Sequence, residues 1–320
     1  MSYCVGIDIG GTTVKLGLFT ESGSFVKKWE IPTRKGTEPT GLLQDVQASL
    51  AEQLTESGIA WEELLGIGIA APGPVTADGI LHGTVNIGWG DVKLGACTEA
   101  VLGISPVAVG NDARVAALGE AIFGAAKGEP SMLMVTLGTG VGGGVILNGK
   151  ILQGESGVAG EIGHMTIDPY EAELCSCGKK GCLEQYASAT GMVRTAGQFL
   201  AKSQEDSLLR QREPLTAKGL WEAAKQGDRL ANEVADFVCQ RLGMALANAA
   251  YLVDPACIVI GGGVAAAGED LLERVRQSYR QNVFPHSREK RFALAELGND
   301  AGIYGAAALL LQARAEKNRQ

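Results

Sequence analysis

Four side chains between His164 and Cys182 are of types that bind soft metal ions. Ten residues separate His164 from Cys175, Cys177 lies two positions further on, and four residues separate it from Cys182. One imidazole and three thiolates make a closed tetrahedral zinc site that leaves no open position for catalysis. The spacing therefore predicts a structural zinc ion held by His164, Cys175, Cys177 and Cys182.

The same cysteines admit two other interpretations. A disulfide would leave one thiol over, because the number is odd. Unrelated core thiols do not fit polar neighbours such as Ser176 and Lys179. Zinc is the interpretation that we carry forward. Because Glu161 and Glu184 flank the segment, a fixed metal would hold two carboxylates in place as hydrogen-bond acceptors.

Three glycine-rich turns, at residues 8–13, 138–143 and 261–263, each follow an apolar strand. Glycines let backbone N–H groups approach an anion closely, and threonine hydroxyls add donors. Tight turns alone would explain any one of them, but three in succession favour phosphate binding. In the first turn, Asp8 is also suited to hold a magnesium ion through water.

The second turn matches G-x-G-x-x-G, but a dinucleotide-binding turn is followed by a helix. Here a strand and an Asn148-Gly149 hairpin turn follow, so we reject that function. No Walker-type sequence occurs at these turns.

Asn111 and Asp112 stand between a predicted strand and a predicted helix. Either residue suits a helix N-cap. Asp112 also suits a general base that accepts a hydroxyl proton during phosphoryl transfer. The local sequence leaves both roles open.

These residues lie on a repeating pattern of elements. Apolar strands are predicted over 3–9, 14–19, 24–31, 65–70 and 107–109, with helices over 42–54, 91–102 and 113–123. The pattern of strand, glycine-rich turn and strand begins again at 131–147. Helices then dominate 187–253, broken by a polar loop near 203–214. A strand over 256–260, a helix over 269–281, a strand over 292–297 and a helix over 302–315 complete the chain. The pattern predicts a duplicated α/β architecture with a cleft between the halves.

Composition excludes several classes of function. The 320 residues carry a formal net charge of −8, and the sequence pI is about 5.1, which argues against nucleic-acid binding. The longest apolar stretch, 301–311, is too short to span a membrane, and no signal peptide is recognisable. Cys4, Cys97, Cys239 and Cys257 are isolated in apolar surroundings, so we expect reduced core thiols and a cytoplasmic location.

Several segments together resemble the ROK family (repressors, open reading frames, kinases). They are DIGGT at 8–12, GTGVGG at 138–143, EIGH at 161–164 and CSCGKKGCLE at 175–184. The resemblance covers essentially the whole chain. Within the family the chain resembles most the Bacillus-type ATP-dependent glucokinases, through APGPV at 71–75, TVNIGW at 84–89 and LGNDAG at 297–302.

The resemblance implies a duplicated actin-like, ribonuclease-H-like fold with sugar and ATP in a central cleft. We expect a small α/β domain of residues 1–112 with 299–320, and a large one of 113–298 that carries the zinc loop. The implied activity is ATP-dependent phosphorylation of the glucose 6-hydroxyl, in a homodimer, with Mg²⁺ and a structural Zn²⁺.

Residue roles carry over from the family in the same way. Asp112 resembles the catalytic base, and the sugar-hydroxyl contacts are Asn111, Glu161, His164 and Glu184. His164 would bind zinc and sugar through different ring nitrogens. The residues implied in binding ATP phosphates and adenosine are Asp8, Gly10, Gly11, Thr12, Thr13, Gly138, Thr139, Gly140, Gly261, Gly262 and Gly263.

Two alternatives stay open. A kinase for another hexose or an N-acetylhexosamine would carry the same motifs. A sugar-responsive repressor of the family would need a helix-turn-helix module before the first glycine turn, and only seven residues precede Asp8.

Overall fold

A computed structural model describes residues 1–76, 79–84 and 87–317. Its strands are β1 Tyr3–Ile9, β2 Thr13–Thr20, β3 Phe25–Pro32, β4 Leu64–Ala71, β5 Val107–Asn111, β6 Ser131–Leu137, β7 Val141–Leu147, β8 Lys150–Ile151, β9 Cys257–Gly261 and β10 Arg291–Leu294. Its α-helices are α1 Thr40–Ser57, α2 Leu94–Leu102, α3 Asp112–Ile122, α4 Glu184–Ala187, α5 Ala189–Lys202, α6 Ala217–Lys225, α7 Arg229–Val253, α8 Glu269–Asn282 and α9 Ala301–Lys317. Of the TVNIGW segment, Val85 and Asn86 lie outside the described residues.

The chain divides into two compact units. The first comprises Met1–Gly128, Asn148–Ala159 and the chain from Asn299 onward, and the second comprises Glu129–Leu147 and Gly160–Gly298. Residues 113–128 belong to the first unit in this division because helix α3 packs on helix α9. The limits predicted from the sequence, 1–112 with 299–320 and 113–298, differ from this division at residues 113–128 and at Asn148–Ala159. As domain boundaries they stay a prediction, and residues 318–320 lie outside those described.

Both units contain the same arrangement of strands. In the first unit the order is β3-β2-β1-β4-β5, with β1 antiparallel to β2 and parallel to β4, and β4 parallel to β5. In the second unit β10, β9, β6 and β7 follow one another, with β6 antiparallel to β7 and parallel to β9, and β9 parallel to β10. The weak repeat in the sequence therefore corresponds to a structural duplication.

Each sheet is buried because its central strands are apolar on both faces. Most positions of strand β1 are buried, and strand β9, Cys257–Gly261, is buried at every position. In the second unit, the long helix α7 contributes Val234, Val238 and Leu242 to the core. No helix in the described part of the chain is both long enough and apolar enough to cross a bilayer.

Two predicted element limits were wrong. The helix predicted from residue 91 begins at Leu94, because Val92 is paired in extended form with Leu81 through hydrogen bonds of 2.9 and 3.0 Å. The strand predicted over 292–297 ends at Leu294, and the last bond to β9 runs from the Ala295 N–H to the Ile260 carbonyl at 2.9 Å.

Helix α9 packs against its neighbours in the first unit at positions without side chains. A Cβ atom placed on Gly305 would lie 1.7 Å from the Val115 carbonyl oxygen of helix α3. A Cβ atom on Gly68 of strand β4 would lie 1.8 Å from the Ala306 carbonyl oxygen. Glycine at these positions allows the backbones to touch directly.

This contact generates a stability prediction. Gly305→Ala should lower the free energy of unfolding by about 1–3 kcal/mol, because a backbone carbonyl cannot move aside as a flexible side chain can. Gly197→Ala is the control. Gly197 is an exposed position inside helix α5 with nothing within 4 Å of a Cβ, so this change should stabilise by about 0.5–1 kcal/mol. Urea unfolding measures both; a Gly305→Ala protein as stable as wild type would disprove the tight contact.

Candidate functional site

The four predicted zinc ligands lie together in the second unit. The ligand atoms of His164, Cys175, Cys177 and Cys182 are all within 4.8 Å of one another. Cys177 and Cys182 sulfurs are 3.7 Å apart, and His164 Nδ1 lies 3.8 Å from the Cys175 sulfur. Zinc bond lengths of about 2.0–2.3 Å give tetrahedron edges of roughly 3.4–3.8 Å, so the set fits a zinc ion.

Electrostatics also favour a cation among these sulfurs. Burial, followed by hydrogen bonds that the protonated Cys182 makes to the Cys177 and Cys175 sulfurs, raises the pKa of Cys182 to about 12. A cation beside the Cys182 sulfur would favour its thiolate form, which burial otherwise disfavours. The donor set therefore matches a structural zinc, with Nδ1 of His164 on the metal side.

Two glycines shape the cysteine loop. Gly178 and Gly181 have positive φ angles of 84° and 69°, and a Cβ atom on Gly181 would lie 1.7 Å from the Asp168 carbonyl oxygen. The Cys175 N–H donates to the Lys179 carbonyl oxygen at 2.7 Å. The sequence CSCGKKGC thus folds into a tight loop that turns the sulfurs toward His164.

The segment of Glu161 and His164 packs directly on strand β7. A Cβ atom on Gly163 would lie 2.1 Å from the Val141 carbonyl oxygen, and one on Gly143 would lie 2.5 Å from the Gly160 carbonyl oxygen. Glu161 precedes the short 3₁₀ helix Ile162–His164 and is half-buried. The glycines of β7 therefore bring Glu161 and His164 beside the second glycine-rich turn.

Glu184 contacts both the cysteine loop and that turn. It is the first residue of helix α4. Its Oε2 accepts the Val141 N–H at 2.9 Å, and its Oε1 accepts the Ser176 hydroxyl at 3.1 Å. Glu184 therefore lies at the same turn against which the segment of Glu161 and His164 packs.

A cavity of about 650 Å³ in the second unit joins the second and third glycine-rich turns. Gly138 and Thr139 line it together with Gly263. Its size suits a nucleoside. The remaining wall was missed in the sequence: helix α6 supplies Ala217, Lys218, Trp221, Glu222 and Lys225, after its N-cap Thr216. No motif marks these residues, which follow the pattern of an ordinary amphipathic helix.

In the first unit, the predicted phosphate and base residues lie at one edge of the sheet. Strands β1, β4 and β5 are parallel, with Asp8 opposite Ala70 and Ala71 opposite Asn111. Asp8, the first glycine turn and Asp112 therefore emerge at the same ends of these strands. The first turn is closed by the Gly10 N–H, which donates to the Thr13 carbonyl oxygen at 3.0 Å.

The Asn111–Asp112 pair is held by hydrogen bonds. Asn111 caps helix α3, since its Oδ1 accepts the Arg114 N–H at 3.2 Å. Asn111 Nδ2 donates to the Gly73 carbonyl oxygen at 3.1 Å and to Asp112 Oδ1 at 2.9 Å. The Ala113 N–H donates to the same Oδ1 at 2.7 Å. The capping role therefore belongs to Asn111, and Asp112 is a half-buried carboxylate in a fixed orientation.

Asp8 is a second carboxylate at this edge. Burial raises the pKa of Asp8 to about 6, against the opposing charge of Lys15 and with a further increase from Asp112. A Cβ atom on Gly302 of helix α9 would lie 2.5 Å from Asp8 Oδ2, so the carboxylate is packed against the start of that helix. A buried carboxylate whose pKa is raised in this way is well placed to be paired with a cation, which would favour its ionised form.

Sequence comparison relates the chain to a known family of proteins. A model of the ROK family matches residues 4–313. A glucokinase of Halalkalibacterium halodurans is 43% identical over 97% of this chain and 95% of its own length. An N-acetylgalactosamine kinase of a Shewanella species is 33% identical over 95% of each chain.

Solved structures with a corresponding fold include a ROK family enzyme. The ROK family glucokinase of Streptomyces griseus, in complex with glucose and AMPPNP, is 35% identical, covers 97% of this chain and 100% of its own, and superposes with a TM-score of 0.77. This likeness confirms the predicted two-domain, actin-like fold class. Together with the metal-ligand set and the paired turns, it leads to one conclusion: the chain belongs to the ROK family.

Proposed function

We propose that this chain transfers the γ-phosphoryl group of ATP to the 6-hydroxyl of glucose, giving glucose 6-phosphate and ADP. The glucokinase relative spans almost the whole chain, and the similar Streptomyces enzyme was solved with glucose and AMPPNP. The observation that carries the proposal is the Asn111–Asp112 pair, a carboxylate fixed at the strand ends beside a phosphate-type turn.

Asp112 acts as the general base in this proposal. It accepts the proton of the 6-hydroxyl as that oxygen attacks the γ-phosphorus. The backbone N–H of Ala113 and the side-chain amide of Asn111 both donate to Oδ1 of Asp112, so the carboxylate is oriented before substrate arrives. Such preorganisation lowers the cost of reaching a reactive geometry.

Asp8 is the residue we propose for magnesium, which enters with ATP and neutralises phosphate charge when bound. The raised pKa of Asp8 is the physical support, because a cation beside it would stabilise the ionised form. The first turn, with Gly10, Gly11, Thr12 and Thr13, lies directly after this strand and supplies phosphate donors. The second turn supplies Gly138, Thr139 and Gly140.

Adenosine is assigned to the cavity of about 650 Å³ in the second unit. It contains the third glycine-rich turn through Gly263, beside Gly261 and Gly262, and the exposed edge of helix α6. Gly262 has a φ of 83°, and a Cβ there would lie 2.5 Å from the Leu137 carbonyl oxygen. The third turn therefore packs directly on the end of β6, next to Gly138.

Sugar hydroxyls are assigned to Asn111, Glu161, His164 and Glu184. Carboxylates accept hydroxyl hydrogens in pairs, which suits a polyol. Nδ1 of His164 lies on the side of the sulfurs, so Nε2 is the nitrogen assigned to sugar. We propose a structural zinc ion in the His164–Cys182 set, which fixes His164 without taking part in the chemistry. The homodimer and the cytoplasmic location stay predictions.

A kinase for another sugar is the second candidate. The Shewanella relative is named for N-acetylgalactosamine at 33% identity, and the motif residues alone do not separate the sugars. The proposal for glucose therefore rests on the higher identity to a glucokinase.

The first prediction concerns the base. Asp112→Asn keeps the size of the side chain but cannot accept a proton, so kcat should fall about 10²–10⁴-fold. Affinity for ADP and the melting temperature should stay near those of wild type, and calorimetry checks both. A variant that keeps more than a tenth of wild-type kcat would remove Asp112 from the mechanism.

The second prediction concerns the metal. Elemental analysis of the purified protein should find one zinc per chain. Cys177→Ser should lose zinc and glucose affinity together, because His164 and the loop next to Glu184 lose their anchor. Cys97→Ser is the control, since Cys97 lies outside the metal set. Full activity of a protein that contains no zinc would contradict the structural role.

The third prediction separates the sugars. With ATP and magnesium held constant, kcat/KM should be higher for glucose than for N-acetylglucosamine or N-acetylgalactosamine. The acetamido group needs space that we assign to Glu161 and His164. Equal values, or a preference for an acetylated sugar, would reject glucose as the substrate and leave the kinase proposal standing.

A further inference from the structure

The carboxylate of Glu184 links two segments that are far apart in sequence. Its Oε1 accepts the hydroxyl of Ser176, which lies between two of the metal ligands but is not itself one. Its Oε2 accepts the N–H of Val141, which lies in the second glycine-rich turn and begins strand β7. A hydrogen-bonded path therefore runs from the cysteine loop through Glu184 to this turn.

The other hydrogen bonds of this turn are mainly ones that its backbone carbonyl oxygens accept. The Ala189 N–H donates to the Gly138 carbonyl oxygen at 2.8 Å, and the Thr190 hydroxyl donates to that of Thr139 at 2.7 Å. Among the described residues, the N–H groups of Thr139 and Gly140 have no hydrogen-bond acceptor. These two groups are the donors available to an anion, and Val141, which Glu184 holds, comes next in the chain.

The turn is also shaped to receive this carboxylate. A Cβ atom on Gly140 would lie 2.4 Å from Glu184 Oε2 and 3.3 Å from its carboxyl carbon. Glycine at this position lets the charged group lie directly against the backbone. A bond from a neutral donor to a carboxylate is stronger than one between neutral groups, so the contact is well suited to fix the turn.

We propose that Ser176 is a positioning residue for nucleotide: through Glu184 it fixes the second glycine-rich turn, so that phosphate affinity depends on a hydroxyl in the metal-binding loop. This inference rests on the proposed function, since it presumes that the turn binds phosphate. It does not conflict with a sugar contact at Glu184. Each carboxylate oxygen has a second lone pair, so a sugar hydroxyl can bind without displacing Ser176 or Val141.

The test removes the hydroxyl and keeps everything else. Ser176→Ala should weaken ADP binding, measured by calorimetry without sugar, by about three- to tenfold, the amount expected for one net hydrogen bond. Hydrogen–deuterium exchange at the Val141 amide should become faster, and zinc content should stay the same. Ser176→Thr, which keeps a hydroxyl, should restore ADP affinity to within about twofold.

Lys180→Ala is the matched control. Lys180 is exposed in the same loop and makes no side-chain contact with Glu184 among the described residues. The Lys180→Ala variant should bind ADP with wild-type affinity. Hydrogen–deuterium exchange at its Val141 amide should be as fast as in the wild-type protein.

Three results would overturn the proposal. Ser176→Ala could bind ADP as wild type does, it could lose zinc, or Ser176→Thr could fail to restore affinity. Loss of zinc from Ser176→Ala would mean that the substitution acts by disturbing the metal ligands and not by removing the hydrogen bond to Glu184. A wild-type protein that binds no ADP would reject the proposed function as well, whereas failure of Ser176→Ala alone leaves it intact.

Discussion

The first unit depends on the close approach of helix α9 to its neighbours. Gly6 of strand β1 and Gly68 of strand β4 have no side chain beneath this helix, so its backbone can approach the strands closely. Gly119 of helix α3 and Gly305 of helix α9 allow the same close approach between these two helices. Direct backbone packing of this kind tolerates no added methyl group. It fixes helix α3 at the sheet edge, and with it the Asn111–Asp112 pair at the start of that helix.

The close packing of helix α9 also explains why the pKa of Asp8 is raised. Gly302 lies in the first turn of α9, so the helix begins against the Asp8 carboxylate and shields it from water. Burial is the main cause of its raised pKa, and Asp112 adds a negative charge. The packing that stabilises the fold thus leaves a carboxylate that is costly to ionise alone. A cation compensates that cost.

Sequence reasoning succeeded where chemistry is local. The spacing of His164, Cys175, Cys177 and Cys182 was enough to predict a set of ligand atoms that lie within 4.8 Å. The repeated pattern of strand, turn and strand predicted a duplicated α/β architecture, and the structure shows that the two sheets share one arrangement of strands. Asp112 could not be separated from an N-cap by local pattern, and the structure assigns the cap to Asn111.

Contacts between residues far apart in the sequence could not be predicted from the sequence alone. The helix α6 wall of the cavity of about 650 Å³ has no signature in the sequence, because Lys218 and Lys225 resemble any solvated helix residues. The bond between Glu184 and the Val141 N–H joins a side chain to a backbone group 43 positions away. Backbone groups carry no sequence signal, so such a partner is found only once the chain is folded.

The metal-ligand set lies on one short stretch of chain. From His164 to Cys182 the loop contains about twenty residues, and the conformational entropy lost on closing a loop grows only with the logarithm of its length. A zinc ion bound by these four residues would therefore close only a short loop, and the stabilisation it adds would be mostly local to that loop. The apolar core of the second unit, as far as the structure describes it, contains none of the four ligand residues. We therefore expect loss of such an ion to loosen the cysteine loop before it affects the sheet.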